Sequence, residues 1–197
     1  MKMKNSWKKL VSVVLTLAVI VSAVSVSSVK KADAAAKSYT AYLMFADKDW
    51  TVQNFDSSVG KTTVKGSGTY TVTLTKKALT KAFKKNGQGW ATGVKCQNCI
   101  IFNVDVVDIC KDYKPNKIKI SNVKISADGK AVKINSKKLN QGNIEDDGNN
   151  YRLEIYNIYG DTAKNGKGDG SDAADACAKG SAFKFKKSLS VTFTIKY

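Results

Sequence analysis

The sequence predicts an all-β fold, an antiparallel β-sandwich with one short helix. Two observations carry this prediction. Apolar residues alternate with polar ones along seven or eight short segments, and clusters rich in Gly, Asn and Asp separate those segments. Strict alternation is typical of strands with one buried and one solvated face, and short strands at this spacing favour two facing sheets. One further segment has helical spacing instead.

The strands are predicted along the whole chain after residue 38, with two long loops at residues 86–95 and 160–181. The clearest is the last, where Leu189, Val191, Phe193 and Ile195 alternate with polar residues. The apolar positions change parity near residues 121–122, which predicts a β-bulge, and Asp128-Gly129 predicts a tight hairpin turn. We expect strands at residues 39–45, 69–74, 102–106, 118–125, 132–134, 151–155 and 189–197.

The helix is predicted over residues 76–85. Leu79, Ala82 and Phe83 recur there at the spacing of one helix face, among lysines. Thr75 precedes this segment and Asn86-Gly87 follows it, which are residue types that begin and end helices. We therefore expect a single surface helix between two strands.

The N-terminal residues have the three parts of a secretory signal peptide. A lysine-rich head is followed by an apolar run from Leu10 to about Val26 and by the small-residue site Ala32-Asp33-Ala34. The apolar run contains Ser and Thr and is short for a membrane span, which needs about 20 apolar residues. We predict cleavage after Ala34, which leaves one domain over residues 35–197; an uncleaved anchor is the alternative.

The charge of the chain predicts attraction to polyanions without base recognition. The net charge is +17, and loss of the leader's six lysines and one aspartate lowers it to about +12. Arg152 is the only arginine. Lysine lacks the planar guanidinium group with which arginine makes two parallel hydrogen bonds to a phosphate or a base. We expect no nucleic-acid partner and no transmembrane segment after the leader is removed. Anionic cell-wall polymers are a candidate partner, and solubility alone is the other explanation of the charge.

Four cysteines remain after the leader, namely Cys96, Cys99, Cys110 and Cys177. In an exported protein an even number of cysteines predicts disulfides. A strand over residues 100–109 would be about 30 Å long, which separates Cys110 from Cys96 and Cys99 by more than a disulfide can bridge. We therefore predict the pairs Cys96–Cys99 and Cys110–Cys177.

The sequence offers little for catalysis. Histidine is absent, which excludes triad hydrolases of the Ser-His-Asp and Cys-His kinds and the usual zinc enzymes. The carboxylates of Asp105 and Glu154 are the best pair for a glycoside hydrolase, but no motif surrounds them. The loop 165–175 contains Asp169, Asp172 and Asp175, yet it lacks the spacing and closing Glu of a calcium-binding EF-hand. We predict a protein without catalytic activity and without a cofactor.

Candidate ligand-binding residues lie on the polar positions of two strands and in one loop. Arg152, Glu154 and Tyr156 alternate with the apolar positions of their strand, and Asn103 and Asp105 do so on another. An aromatic ring, carboxylates and an amide on one open face would suit a sugar; a solvated face with an Arg–Glu pair is the alternative. Trp50 and Gln53 are further candidates, although we expect Trp50 in the core or at its edge.

Several segments together resemble a secreted module found in extracellular and surface proteins of Gram-positive bacteria. They are residues 41–56 (AYLMFADKDWTVQNFD), 68–74 (GTYTVTL), 102–109 (FNVDVVDI), 120–132 (ISNVKISADGKAV) and 151–160 (YRLEIYNIYG). That module is similar to carbohydrate-binding modules with a jelly-roll or galactose-binding-like sandwich. The resemblance implies a secreted protein that binds glycan; a structural or adhesive wall protein and a glycoside hydrolase are the alternatives.

Overall fold

The computed structural model describes residues 37–55, 57–144, 148–160 and 177–197. Within these residues the chain forms ten β-strands and one α-helix. The predicted signal peptide and the acidic loop 165–175 lie outside them. The strands are β1 (Ser38–Asp47), β2 (Gln53–Asn54), β3 (Lys61–Lys65), β4 (Gly68–Thr75), β5 (Cys99–Val107), β6 (Lys119–Ala127), β7 (Lys130–Val132), β8 (Asn140–Asn143), β9 (Tyr151–Asn157) and β10 (Ser188–Lys196); the helix is α1 (Lys76–Asn86).

The strands form two antiparallel sheets, which confirms the predicted all-β sandwich. The first sheet has the order β2-β1-β5-β9-β8. Strands β2 and β3 both pair with the outer edge of β1, β2 near the end of β1 and β3 near its start. The second sheet has the order β4-β10-β6-β7. Apolar side chains of both sheets, among them Leu43, Val104 and Val191, are buried in one core. Burial of these alternating positions is the main favourable contribution to folding.

The central strand of the second sheet has the alternation that predicts it. Leu189, Val191, Phe193 and Ile195 of β10 are fully buried, while the threonines between them face the other side. These threonines form hydroxyl pairs across the sheet, such as Thr71 with Thr192 at 2.8 Å. One face of this sheet therefore packs into the core, and the other is polar.

Both irregular features predicted in β6 are present. Ser121 pairs with Thr194 and Lys124 with Thr192, so two residues of β6 face one residue of β10, as in a β-bulge. At the end of β6, Asp128 and Gly129 have φ angles of 52° and 79°, both in the left-handed region. That pair of angles is the requirement of a two-residue type I′ hairpin.

Helix α1 begins and ends where the sequence predicts, to within one residue. The Thr75 hydroxyl accepts a hydrogen bond from the Ala78 N–H at 3.2 Å. At the other end, Gly87 has a φ of 75°, and its N–H donates to the Phe83 carbonyl at 2.9 Å. Leu79 is the residue that anchors the helix in the core. No helix among the described residues is long and apolar enough to span a membrane.

Candidate functional site

An exposed tryptophan stands on the turn that follows β1. Trp50 is 44% exposed, so the expectation that it lies in the core or at its edge is wrong. Its ring stacks on that of Phe55, with centroids 6.0 Å apart and planes inclined by 22°. Gln53 lies between them in sequence and is half-buried on β2. Tryptophan, phenylalanine and an amide therefore form one surface element, which we call the aromatic turn (residues 48–55).

The buried carboxylate of Asp47 holds the aromatic turn in place. Asp47 is fully buried, and its Oδ1 accepts hydrogen bonds from the N–H groups of Thr51 at 2.9 Å and Val52 at 3.1 Å. Its Oδ2 accepts from the Gln97 N–H at 2.9 Å and from the Thr51 hydroxyl at 3.3 Å. Hydrogen bonds to a charged acceptor are stronger than neutral ones, and here they satisfy a buried charge. Asp47 thus joins the turn to the loop before β5.

The backbone of Trp50 itself has an unusual conformation. Its φ is 56°, in the left-handed region that bulky residues rarely adopt. The Trp50 N–H donates to the Asp47 carbonyl at 2.9 Å, which closes the turn. Such a conformation costs about 1–2 kcal/mol and persists only where the surroundings hold it. The indole points to solvent because the turn, and not core packing, determines its direction.

The polar positions of β5 and β9 meet on one face, but they are buried. Arg152 and Asp105 are paired across the strands and form a two-pronged ion pair. Arg152 Nε donates to Asp105 Oδ1, and Arg152 Nη2 donates to Asp105 Oδ2, both at 2.8 Å. Asn103 and Asp105 are fully buried, and Arg152 and Glu154 are only 7% and 5% exposed. The expectation of an open face is therefore wrong.

The contacts of the ion pair determine the pKa of Arg152 and the availability of the Asp105 carboxylate. Burial lowers the pKa of the Arg152 guanidinium, but the hydrogen bonds and charge of Asp105 outweigh this and raise it. Tyr42 adds a third donor to the carboxylate, with its hydroxyl 3.3 Å from Asp105 Oδ2. Because Arg152 occupies both oxygens of Asp105, this carboxylate is poorly placed to act as the acid or base of a glycosidase.

Tyr156 does not share the face of Arg152 and Glu154. Residue 154 of β9 pairs with Asn103 and residue 156 with Phe102, so Ile155 has no partner on β5. This bulge turns Tyr156 toward the core, where its ring lies 5.9 Å from that of Phe183. The predicted outward trio of Arg152, Glu154 and Tyr156 is therefore wrong for Tyr156.

Neither predicted disulfide is present among the four cysteines. Cys177 lies at the Cys99 end of the first sheet, where its Sγ is 3.1 Å from the Ile155 carbonyl oxygen. Cys110 follows the opposite end of β5, a strand about 30 Å long at roughly 3.4 Å per residue. Cys110 is therefore too far from Cys177 to form a disulfide with it, for the same reason that it is too far from Cys96 and Cys99.

Three of these thiols are buried, and burial raises their pKa values. The pKa of Cys96 rises from 9.0 to about 12 and that of Cys177 to about 11, while that of Cys99 rises well above 9.0. In the unfolded chain each thiol ionises near its ordinary pKa, whereas the folded protein keeps the proton. Unfolding therefore releases protons at high pH, and stability is lost as pH rises above about 9.

We expect the free energy of unfolding to fall steeply between pH 9 and pH 11 when the thiols are kept reduced. Each buried thiol contributes on the order of 1.4 kcal/mol per pH unit in that window. Urea titrations at a series of pH values measure this slope. Cys177→Ala removes one thiol and makes the slope shallower by about that amount; an unchanged slope contradicts the buried neutral thiol.

The described residues contain no cluster of three or more His, Cys, Asp or Glu side chains placed to hold a metal ion. Phe55 and Asp47 are not among the site residues that the sequence predicts. The available signal was an aspartate at the end of a strand, three residues before a tryptophan. The sequence does not show that this aspartate is buried, because its burial follows only from the folded turn.

Comparison with known proteins gives no match, either to a family model, to a curated protein or to a solved structure.

Proposed function

We propose that this protein is a secreted, non-catalytic module that binds glycan through the aromatic turn. The observation that carries the proposal is the exposed indole of Trp50, stacked on Phe55 and held outward by the buried Asp47. Sugar rings present C–H groups on their faces, and these groups pack on flat aromatic rings. The polar groups beside such a platform then hydrogen-bond to hydroxyls.

The polar groups of the aromatic turn suit this role. The Gln53 side chain offers a donor and an acceptor at one end of the turn. Lys48 and Asp49 form an exposed ion pair at 2.7 Å at the other end. An exposed pair of this kind is weak, so both side chains are available to sugar hydroxyls at little cost.

The buried face of β5 and β9 has a structural role in this proposal. Asn103, Asp105, Arg152 and Glu154 are too little exposed to serve as a first contact for a polysaccharide. Their ion pair connects the two central strands of the sheet whose β1 leads directly into the aromatic turn. In this proposal the ligand-binding residues are therefore Trp50, Gln53 and Phe55, and not the polar residues of β5 and β9.

The first test is a glycan array with the purified protein and two variants. We expect Trp50→Ala to lose binding by about thirtyfold, because a central tryptophan contributes about 2 kcal/mol or more to an interface. Tyr159→Ala is the matched control, since Tyr159 is 47% exposed and lies outside the aromatic turn. Trp50→Phe keeps a flat ring and should retain part of the affinity.

The array also distinguishes the alternatives. Silence across all glycans, with binding to purified bacterial cell wall retained, contradicts the proposal and favours an adhesive protein held by the net charge of about +12 that remains without the leader. Equal losses in Trp50→Ala and Tyr159→Ala contradict the assignment of the platform.

Export is the second part of the proposal and rests on the leader sequence. A basic head, an apolar run and Ala32-Asp33-Ala34 are the signals that a signal peptidase reads. We expect the N-terminus of the protein recovered from culture medium to be Ala35. Recovery of the whole chain in the cell membrane contradicts cleavage.

A further inference from the structure

A second surface feature is a cavity of about 670 Å³ between the start of α1, the loop 90–97 and the segment that leads into β10. Small-molecule sites commonly have volumes of roughly 300–1,000 Å³. Trp50, Gln53 and Phe55 do not line it. It is therefore distinct from the aromatic turn, although the Gln97 N–H on its wall is bonded to Asp47.

The floor of this cavity is apolar. Trp90 and Phe185 are almost fully buried, and their rings meet edge to face with centroids 5.2 Å apart. The one polar atom of the indole is already used, because Trp90 Nε1 donates to the Val94 carbonyl at 3.1 Å. Burial raises the pKa of the neighbouring Cys96 thiol to about 12, so that wall is neutral as well. A ligand on this floor meets mainly carbon and neutral sulfur.

The rim of the cavity is cationic. Four lysines line it, and all four are exposed, namely Lys76, Lys95, Lys184 and Lys186. Lys76 Nζ lies over the Trp90 ring, 4.9 Å from its centroid. Within the described part of the chain none of the four forms an ion pair with a carboxylate.

One carboxylate also lines the cavity, and it is directed elsewhere. Asp128 accepts hydrogen bonds from the backbone N–H groups of Lys186, Lys187 and Ser188, at distances from 2.6 to 3.1 Å. These bonds fix the carboxylate against the entry to β10. This carboxylate also interacts electrostatically with Lys186. The rim still keeps an excess of positive charge, because four lysines face one carboxylate.

We propose that this cavity binds a small organic anion with a flat apolar body, of the chemical class of aromatic carboxylates. The apolar floor removes the ring from water, and the lysine ammonium groups attract the carboxylate. A neutral sugar would place hydroxyls against a floor that offers them few partners. An inorganic polyanion would meet the lysines but gain nothing from the floor.

The test uses isothermal titration calorimetry of the purified protein with naphthoate and with naphthalenemethanol. The two probes share the ring, and only naphthoate carries a charge. We expect saturable binding of naphthoate, and binding of naphthalenemethanol that is at least tenfold weaker. In the variant Lys95→Gln/Lys184→Gln naphthoate should bind about tenfold more weakly, because two exposed attractions are lost.

The matched control is Lys119→Gln/Lys124→Gln, which removes the same charge from β6 and leaves the rim intact. Naphthoate should bind this control as it binds the unchanged protein. The absence of saturable naphthoate binding overturns the proposal, as do equal losses in the two double variants. Trp50→Ala should leave naphthoate binding unchanged, which separates this proposal from that of glycan binding.

Discussion

Replacement of Asp47 by alanine lowers the free energy of unfolding by about 3 kcal/mol or more. The substitution removes the acceptor of three backbone N–H groups, those of Thr51, Val52 and Gln97, and of one hydroxyl. Each buried donor left without a partner costs about 1–3 kcal/mol, and groups near the surface recover part of this from water. The aromatic turn also loses the contact that holds Trp50 outward, so glycan binding should fall with stability.

Urea denaturation measures this loss, with Thr51→Val as the matched control. That variant removes only the hydroxyl hydrogen bond of 3.3 Å and should cost less than about 1 kcal/mol. Asp47→Asn keeps the size and one acceptor oxygen, but its amide N–H faces the N–H of Gln97, so we expect an intermediate loss. A cost below about 1 kcal/mol for Asp47→Ala contradicts the role assigned to this carboxylate.

Replacement of Asp105 by alanine has the second large effect, a loss of about 3–5 kcal/mol in the free energy of unfolding. The change removes both charged hydrogen bonds that Arg152 makes to this residue, in a site where Arg152 is 7% exposed. Removal of one partner from a buried ion pair leaves an incompletely compensated charge, which is more costly than removal of the pair. Tyr42 loses an acceptor at the same time.

A double-mutant cycle separates the ion pair from the packing around it. The double variant Asp105→Leu/Arg152→Met removes both charges and keeps most of the volume, so it should be more stable than Asp105→Ala alone. The free energies of unfolding of Asp105→Leu, Arg152→Met, the double variant and the unchanged protein give the coupling. A coupling near zero contradicts a strong pair between these two residues.

The long strands and the helix follow from local rules that the sequence displays. In β10 every second residue from Leu189 to Ile195 is buried, and nothing interrupts the pattern. The bulge in β6 is visible because its apolar positions change parity around Asn122, whose φ is 52°. Helix α1 has its end signals at Thr75 and Gly87. These features depend on neighbours in sequence and are therefore predictable.

The edge strands β2, β3 and β8 do not follow from such rules. Strand β8 has the sequence Asn-Gln-Gly-Asn, without one apolar residue to alternate. It is held by tertiary hydrogen bonds instead: the Gln141 side chain accepts from the Ile120 N–H at 2.7 Å and donates to the Ile120 carbonyl at 3.1 Å. Pairing of this kind is determined by a distant segment, and a local pattern does not reveal it.

The candidate site is predictable only in part, because tertiary structure determines the positions of several of its residues. Trp50 was identified as a candidate, but a left-handed turn directs its ring outward, a conformation that the sequence suggests for glycine or asparagine and not for tryptophan. Tyr156 was misplaced because the residue after the bulge at Ile155 is a tyrosine, which suits either face of a sheet, so the sequence does not show the change of parity. The disulfide prediction lacked the position of Cys177, which follows from tertiary structure alone.

The most direct test of glycan binding by the aromatic turn is the binding of the protein to purified cell wall, measured at low salt and at about 0.5 M salt. At the higher concentration the screening length falls to on the order of 4 Å, so attraction by exposed lysines is largely lost while stacking of a sugar on Trp50 remains. We predict that the unchanged protein still binds the wall at high salt and that Trp50→Ala does not. Release of both proteins at high salt, or equal retention of both, would contradict a stacking site at Trp50.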